Sequence, residues 1–296
     1  MIRKGKRFAS MSARDKYLAI GLRVRRFFPG VPLPIPLPFG AWFLARNDYM
    51  GGAEMHGGFE PTERAFVSRF LRAGMTVLDI GAHHGLYTLL ASKRVGPSGR
   101  VFAFEPSPRE RKALQWNVGL NRCKNVVIEE LALGNEESEG RLYVVDGHET
   151  GCNSLRPPAS AGATSPVAVR VSSLDAWLRT HDVKTVDFIK LDVEGGELAV
   201  LQGARKILEV RPRPVILAEV QDIRTQPWGY RASDIIRYLS EMDYKWFSLS
   251  NEGALVALDV GAQTFDGNFV ACPVESEPLP DRWGIPSAVA IRASRT

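Results

Sequence analysis

An α/β fold built around a largely parallel sheet is what this sequence predicts, and three observations carry the prediction. From about residue 60 onward, short apolar runs alternate with segments of helical periodicity, the pattern of strands that return through helices. Two of those runs, 186–191 and 214–220, are almost unbroken apolar stretches, as expected of central strands covered on both faces. A third run, 76–80, leads straight into Gly81, with Gly85 opening the next helix, a turn that puts a ligand at the carboxyl end of a first strand. At 296 residues, 45% hydrophobic and 24% charged, the chain has room for one large domain with additions, and its composition is not that of a disordered, collagenous or membrane-embedded protein.

Taken in order, residues 1–30 form a basic N-terminal extension with nine Lys or Arg against Asp15 alone. The rest of the chain then carries 29 Lys or Arg against 32 Asp or Glu, so the body is slightly acidic and a broad nucleic-acid-binding face is not expected. Leu18, Ile20, Leu22, Val24, Phe27 and Phe28 interleave with the cations, so peripheral membrane contact is one reading. The reading preferred from sequence is a solvated extension. No run of about 18 apolar residues is present to span a bilayer, and three widely spaced cysteines, Cys123, Cys152 and Cys272, fit a reducing compartment such as the cytoplasm.

Residues 31–60 read as an apolar strap, because Pro32, Pro34, Pro36 and Pro38 alternate with aliphatic residues and favour an extended, polyproline-like chain. The main domain is placed at 61–275, with a C-terminal tail at 276–296. Strands are expected at 76–80, 101–104, 126–131, 186–191, 215–220, 245–249 and 268–271, and helices at about 61–72, 86–95, 108–121, 196–208 and 232–242. The interruption at 141–172 contains a Gly-, Ser- and Pro-rich loop, 147–165, too long for a simple connection; it is either a substrate-facing flap or a disordered insertion.

The first glycine turn marks the candidate site. Gly81 and Gly85 remove Cβ atoms where a ligand meets the backbone, and the helix that follows offers free N–H groups. Their spacing, GxxxG, departs from the dinucleotide fingerprint. Twenty-four residues after Gly81 the second strand ends at Glu105, where a carboxylate can accept hydrogen bonds from paired ribose hydroxyls.

At this point the chain resembles an S-adenosylmethionine-dependent methyltransferase of the FkbM family. The resemblance runs from about Gly57 to Pro273 and rests on five blocks in order: 58–61, 78–88, 99–108, 132–134 with Asn117 and Asn121 ahead of it, and 187–204. It implies a Rossmann-like, seven-stranded mixed and mainly parallel sheet with helices on both faces, the class I methyltransferase fold. It implies S-adenosylmethionine as methyl donor, with Asp79, Gly81, Ala82 and Gly85 around its methionine end, Glu105 on the ribose and Ala132 near the adenine. His83 stands where the family usually has Asn, which leaves a direct role for it open. The acceptors implied are hydroxyl groups on sugars, glycolipids or polyketide-like small molecules.

Methyl transfer requires an aligned acceptor oxygen and a group to take its proton. Lys190, Asp192 and Glu194 alternate at the end of the fourth strand, and Asp192 is the first choice for that base, with Glu194 second. The competing reading has both acids capping the helix that follows. Glu197 reads as helix surface or a salt-bridge partner. Glu219 ends the fifth strand and joins the catalytic candidates; with Asp192 it offers oxygen ligands for Mg²⁺, but two acids are too few to specify a metal and none is expected. A nucleic-acid methyltransferase and a non-catalytic or membrane-associated scaffold are the rival readings.

Overall fold

The computed structural model describes residues 11–28, 30–56, 58–158 and 162–276. Gly57, the cations Arg3, Lys4, Lys6 and Arg7, residues 159–161 of the expected flap and the expected tail beyond Ser276 lie outside them.

Ser12 opens helix α1 (Ala13–Phe27) by accepting the Asp15 N–H at 3.1 Å. The helix is not the solvated extension expected. Its Leu18 is buried with Ile35, Phe43 and Met55, and the Tyr17 hydroxyl donates to the Pro34 carbonyl at 2.6 Å. The strap also differs from a polyproline run: β1 (Leu33–Pro36) pairs antiparallel with β2 (Trp42–Ala45). An antiparallel ladder draws on the N–H of every second residue of a strand along one edge, so prolines at 34 and 36 leave the pairing to Leu33 and Ile35. Helix α2 (Tyr49–His56) completes this N-terminal layer, which closes over Leu86 and Leu89.

The main body follows as α3 (Pro61–Phe70), β3 (Thr76–Ile80), α4 (Leu86–Val95), β4 (Arg100–Phe104), α5 (Pro108–Leu120) and β5 (Val126–Glu129). After the interruption come α6 (Leu174–Thr180), β9 (Phe188–Leu191), α7 (Glu197–Gln202), α8 (Arg205–Glu209) and β10 (Val215–Gln221). The chain ends with α9 (Asp222–Thr225), α10 (Ala232–Ser240), β11 (Tyr244–Leu249), β12 (Leu255–Ala257) and β13 (Asp266–Pro273). All seven expected strands form one sheet in the order β11-β13-β10-β9-β3-β4-β5, with short β12 added at the edge beside β11. β13 is antiparallel to both neighbours, and the strands from β10 to β5 are parallel. Alternation along each strand feeds two cores: Val77, Val101 and Phe188 face α3 and α4, while Leu78, Phe102 and Ile189 face the side of α6, α7 and α10.

The helix expected over 196–208 is two, α7 and α8. Between them Gly203 lies so close to the Gly134 carbonyl that a Cβ would come within 2.0 Å of its oxygen. The interruption itself forms a second sheet, β6 (Ala132–Gly134), β7 (Ser138–Val145) and β8 (Thr164–Ser173), in the order β6-β8-β7. The described part of the expected flap is therefore ordered structure: Thr150–Cys152 makes a 3₁₀ turn and Ser154 bridges to Tyr143.

Strand order places the first crossover on one side of β3 and the return on the other, so a crevice opens beyond the carboxyl ends of β3 and β9. One buried amide ties the N-terminal layer to this crevice. Asn117 Nδ2 donates to the His84 carbonyl at 2.8 Å, and its Oδ1 accepts the Leu44 N–H at 2.7 Å. Replacing Asn117 by Ala strands two backbone groups and should lower stability by about 2–4 kcal/mol in urea unfolding. A loss below about 0.5 kcal/mol would show that the hairpin is held in some other way.

Candidate active site

The β3 turn is shaped by contact with β9. Gly81 has φ of +84°, and a Cβ there would sit 1.7 Å from the Asp192 carbonyl oxygen. Asp192 in turn donates its N–H to the Ile80 carbonyl at 3.0 Å. Gly85, with φ of +86°, is needed for a different reason: a Cβ would meet Leu114 Cδ1 at 2.4 Å, so this glycine seats α4 against α5 and touches neither cleft described below.

Two adjoining clefts open around this turn. The inner one is walled by Leu131, Ala132, Leu133 and Leu142, with Glu105 at one side and Trp228 at another. The outer one reaches from Asp79, Ala82 and Tyr87 to Glu219 and Asn268. Gly81, His83, Gly151, Asp192 and Glu194 line both and mark the passage between them. Loop 147–155 forms a wall of both clefts, anchored where Ser154 Oγ donates to the Glu194 carbonyl at 2.8 Å and where the His148 carbonyl accepts the Tyr49 N–H at 3.0 Å.

Glu105 is held by the backbone of its own turn and of the glycine turn. Oε1 accepts the Ser107 N–H and Oε2 the His83 N–H, each at 2.8 Å. Burial, reinforced by Glu110, pushes its carboxyl up to about 8. Each oxygen keeps a second lone pair for a ligand hydroxyl. With an apolar slot beside it and a glycine where side chains are excluded, the lining of the inner cleft offers the chemistry that an adenosyl group with paired ribose hydroxyls requires. His83 Nε2 lies 3.1 Å from Thr150 Oγ1, and the ring stacks on His84 at 3.8 Å; burial holds both imidazoles below their ordinary value, hence neutral at pH 7.

At the passage, Lys190 Nζ donates to Asp192 Oδ2 at 2.9 Å and to Asn268 Oδ1 at 3.2 Å. Burial works against the Lys190 ammonium, but the nearby Asp192 and Glu60 carboxylates outweigh it and hold its pKa above the ordinary value. Glu194, with φ of +57°, pairs with Arg224 at 2.9 Å, yet burial and then Asp192 push its carboxyl up to about 8. Glu219 is raised well above the carboxylate range by the same causes, and its Oε2 is buried without a hydrogen-bond partner among the described residues. Oxygens of Asp192, Glu194 and Glu219 all fall within 4.8 Å of one another. Asp79, deep in the outer cleft, accepts from the Thr88 hydroxyl and is raised to about 6 by burial.

The capping reading for Asp192 and Glu194 is not what the structure shows. Helix α7 has Gly196 at its N-cap without a side-chain cap, and the turn is held instead by Glu197, which accepts the N–H groups of Val193 at 3.0 Å and Gly195 at 3.2 Å. Glu197 is thus buried structure, not helix surface. Sequence reasoning missed Arg224, Asn268 and Trp228. Asn268 was findable from strand register, since it pairs with Glu219 across β10 and β13; Arg224 and Trp228 sit in turns with no periodic signal. Glu60 faces the outer cleft, where Tyr87 donates to it at 2.6 Å and Asn268 at 3.0 Å.

The profile of the Methyltransferase FkbM domain matches residues 79–246. Among curated proteins, a "Methyltransferase 1" of Beauveria bassiana is 29% identical over 143 residues, 43% of this chain and 57% of its own length. The "2-O-methyltransferase NoeI" of Sinorhizobium fredii is 25% identical over 158 residues, 49% of this chain and 63% of its own length. The chain thus spans less than two thirds of either relative. A crystal structure of a methyltransferase FkbM from Methylobacillus flagellatus aligns with a TM-score of 0.42 at 18% identity, covering 67% of this chain and 44% of that one.

Replacing Glu105 by Ala should weaken S-adenosylmethionine binding by about 1.5–3 kcal/mol in calorimetric titration; unchanged affinity removes Glu105 from the ribose contact. The raised acids also set the pH response of the free protein. Groups whose folded pKa is raised add stability below their unfolded value, and that stability is lost as pH rises through the folded one. With Asp79 at about 6, Glu197 at about 7 and Glu105 and Glu194 at about 8, the melting temperature should fall steadily from about pH 5 to 9. Glu194→Gln should flatten that fall, and an unaltered profile would show that Glu194 ionises freely.

Proposed function

Because the chain belongs to the FkbM methyltransferase family, we propose that it methylates a hydroxyl oxygen of a sugar, glycolipid or similar small molecule held in the outer cleft, with S-adenosylmethionine in the inner one. The observation that carries this reading is Asp192, a carboxylate on the passage common to both clefts. Bound in the inner cleft, S-adenosylmethionine supplies an electrophilic methyl group on a sulfonium sulfur. Glu105 holds the ribose, and the slot by Ala132 takes the adenine.

Asp192 orients the acceptor and takes its proton. Lys190 occupies Oδ2, while Oδ1 makes no hydrogen bond among the described residues and remains for the acceptor O–H. Lys190 also balances the charge left on Asp192 before the proton arrives, and its pairing with Asn268 fixes the ammonium in place. Glu194 and Glu219 are secondary acceptors for further hydroxyl donors. Acids in the outer cleft include Glu60, Asp79, Glu149, Asp192, Glu194 and Glu219 against the cations Lys190 and Arg224, a lining that suits a neutral, hydrogen-bond-donating acceptor and disfavours a nucleic-acid backbone. The match to NoeI, described as a 2-O-methyltransferase, supports the same choice of acceptor atom.

The first test is titration with S-adenosylmethionine and S-adenosylhomocysteine, with NAD as control, followed by a screen of hydroxyl acceptors. Micromolar binding of the first two and none of NAD is expected; no binding of either would end the donor assignment. Asp192→Asn should then slow transfer by about 10²–10⁴-fold while donor affinity stays within about twofold, and equal activity would remove Asp192 as the base. Because Lys190 and Arg224 already pair with two of the three clustered carboxylates, EDTA should leave turnover unchanged. Loss of activity restored by Mg²⁺ would instead make that cluster a metal site.

A further inference from the structure

Helix α1 has three distinct faces. Leu18 and Leu22 dock on the hairpin and α2, and Arg25 Nη2 donates to the Ala45 carbonyl. Beside them runs a stripe at helical spacing, Tyr17, Ile20, Val24, Phe27 and Phe28, that is exposed among the described residues: Ile20 is 52% exposed, Phe27 79% and Phe28 60%. Next to the stripe stand Arg23 and Arg26, both exposed and without an acidic partner among the described residues. The apolar surface continues past the helix. Tyr17 meets the exposed Trp42 edge-on at 6.3 Å, and Asn121 bonds the Trp42 backbone on both sides, bringing in α5 with exposed Trp116 and Leu120. Arg46 and Lys112 stand over the Trp116 ring at 5.5 and 5.4 Å.

We propose that this face, α1 with Trp42 and the exposed edge of α5, docks the protein on an anionic lipid bilayer. Charge complementarity selects the occupant. The first 30 residues hold nine Lys or Arg and one acid, whereas acids outnumber cations in the remainder, and of those nine Arg23 and Arg26 stand exposed on α1. Aromatic and aliphatic side chains flanked by Lys and Arg on one face of a helix are suited to the boundary between headgroups and acyl chains, where apolar insertion and attraction to anionic lipid act together. Helix α2 lies between the buried side of α1 and the outer cleft. Met55 of α2 packs in one cluster with Leu18, while Tyr49, Met50 and Ala53 of the same helix line that cleft. Docking on this face stands or falls independently of the methyl-transfer reading.

The test is cosedimentation of the full chain with vesicles of phosphatidylcholine alone and with about 30% phosphatidylglycerol added. Binding is expected only to the second, and it should weaken as salt is raised. Arg23→Glu with Arg26→Glu should reduce binding roughly 20-fold or more, since each cation near such a surface contributes about fivefold. Ile20→Ser with Phe27→Ser should reduce it comparably, and both variants should retain wild-type melting temperature and S-adenosylmethionine affinity because the altered side chains are exposed. No pelleting of wild type with either vesicle overturns the proposal, as does equal binding by well-folded variants. A wild-type dimer in sedimentation velocity that Ile20→Ser with Phe27→Ser makes monomeric, with no vesicle binding, would assign the face to a second copy. Vesicle binding that appears only after removal of residues 277–296 would assign it to that segment.

Discussion

The contact between Gly81 and the carbonyl of Asp192 is the constraint from which the site follows. Two neighbouring parallel strands end at the same level, and the chain leaves each in a different direction, so the turns beyond them must pass within touching distance. Only a residue without a Cβ, in a left-handed conformation, lets the β3 turn clear that oxygen. The closeness has a chemical result. It puts the glycine turn and the acid that follows β9 on the rim of one passage, so whatever rests against the first is within reach of the second.

Around that passage the sheet gathers more carboxyl groups than it has cations to balance. Asp192, Glu194 and Glu219 come from the ends of two adjacent strands, and Lys190 and Arg224 are the nearest compensation. Burial raises Glu194 and Glu219 because ionised carboxylates there lose water and face one another. Glu197, a few residues away, resolves the same conflict differently by accepting backbone N–H groups and so shaping the turn itself. The acids near this edge thus divide into one that builds the loop and three that face open space.

Much of this was legible in the sequence, because both strand alternation and the glycine turn are local signals. The seven strands of the main sheet were expected close to where they lie, and Asp79, Gly81, Ala82, His83, Glu105, Ala132, Asp192, Glu194 and Glu219 do line the two clefts. What failed was decided by tertiary contact. Alternating prolines at 34 and 36 read as polyproline in isolation, whereas their period of two also suits one edge of an antiparallel pair. Glu197 reads as a surface acid until the Val193–Gly196 turn folds over it. The break between α7 and α8 depends on how closely β6 approaches Gly203, a distance that no local pattern encodes.

The N-terminal layer separates two boundaries that are easily confused. The match to the FkbM domain profile begins at residue 79, and the periodic α/β pattern begins near residue 60. The folding unit begins earlier. Leu86 and Leu89 on the outer side of α4 are covered by Ile35, Phe43 and Met55, residues that lie upstream of both starting points. A fragment cut where the profile match starts would carry the whole glycine turn after β3 yet present a bare apolar helix to water, and it would be prone to self-association for reasons unrelated to catalysis. For this chain the minimal soluble unit is set by what shelters α4, so homology limits are a poor guide to where to truncate it.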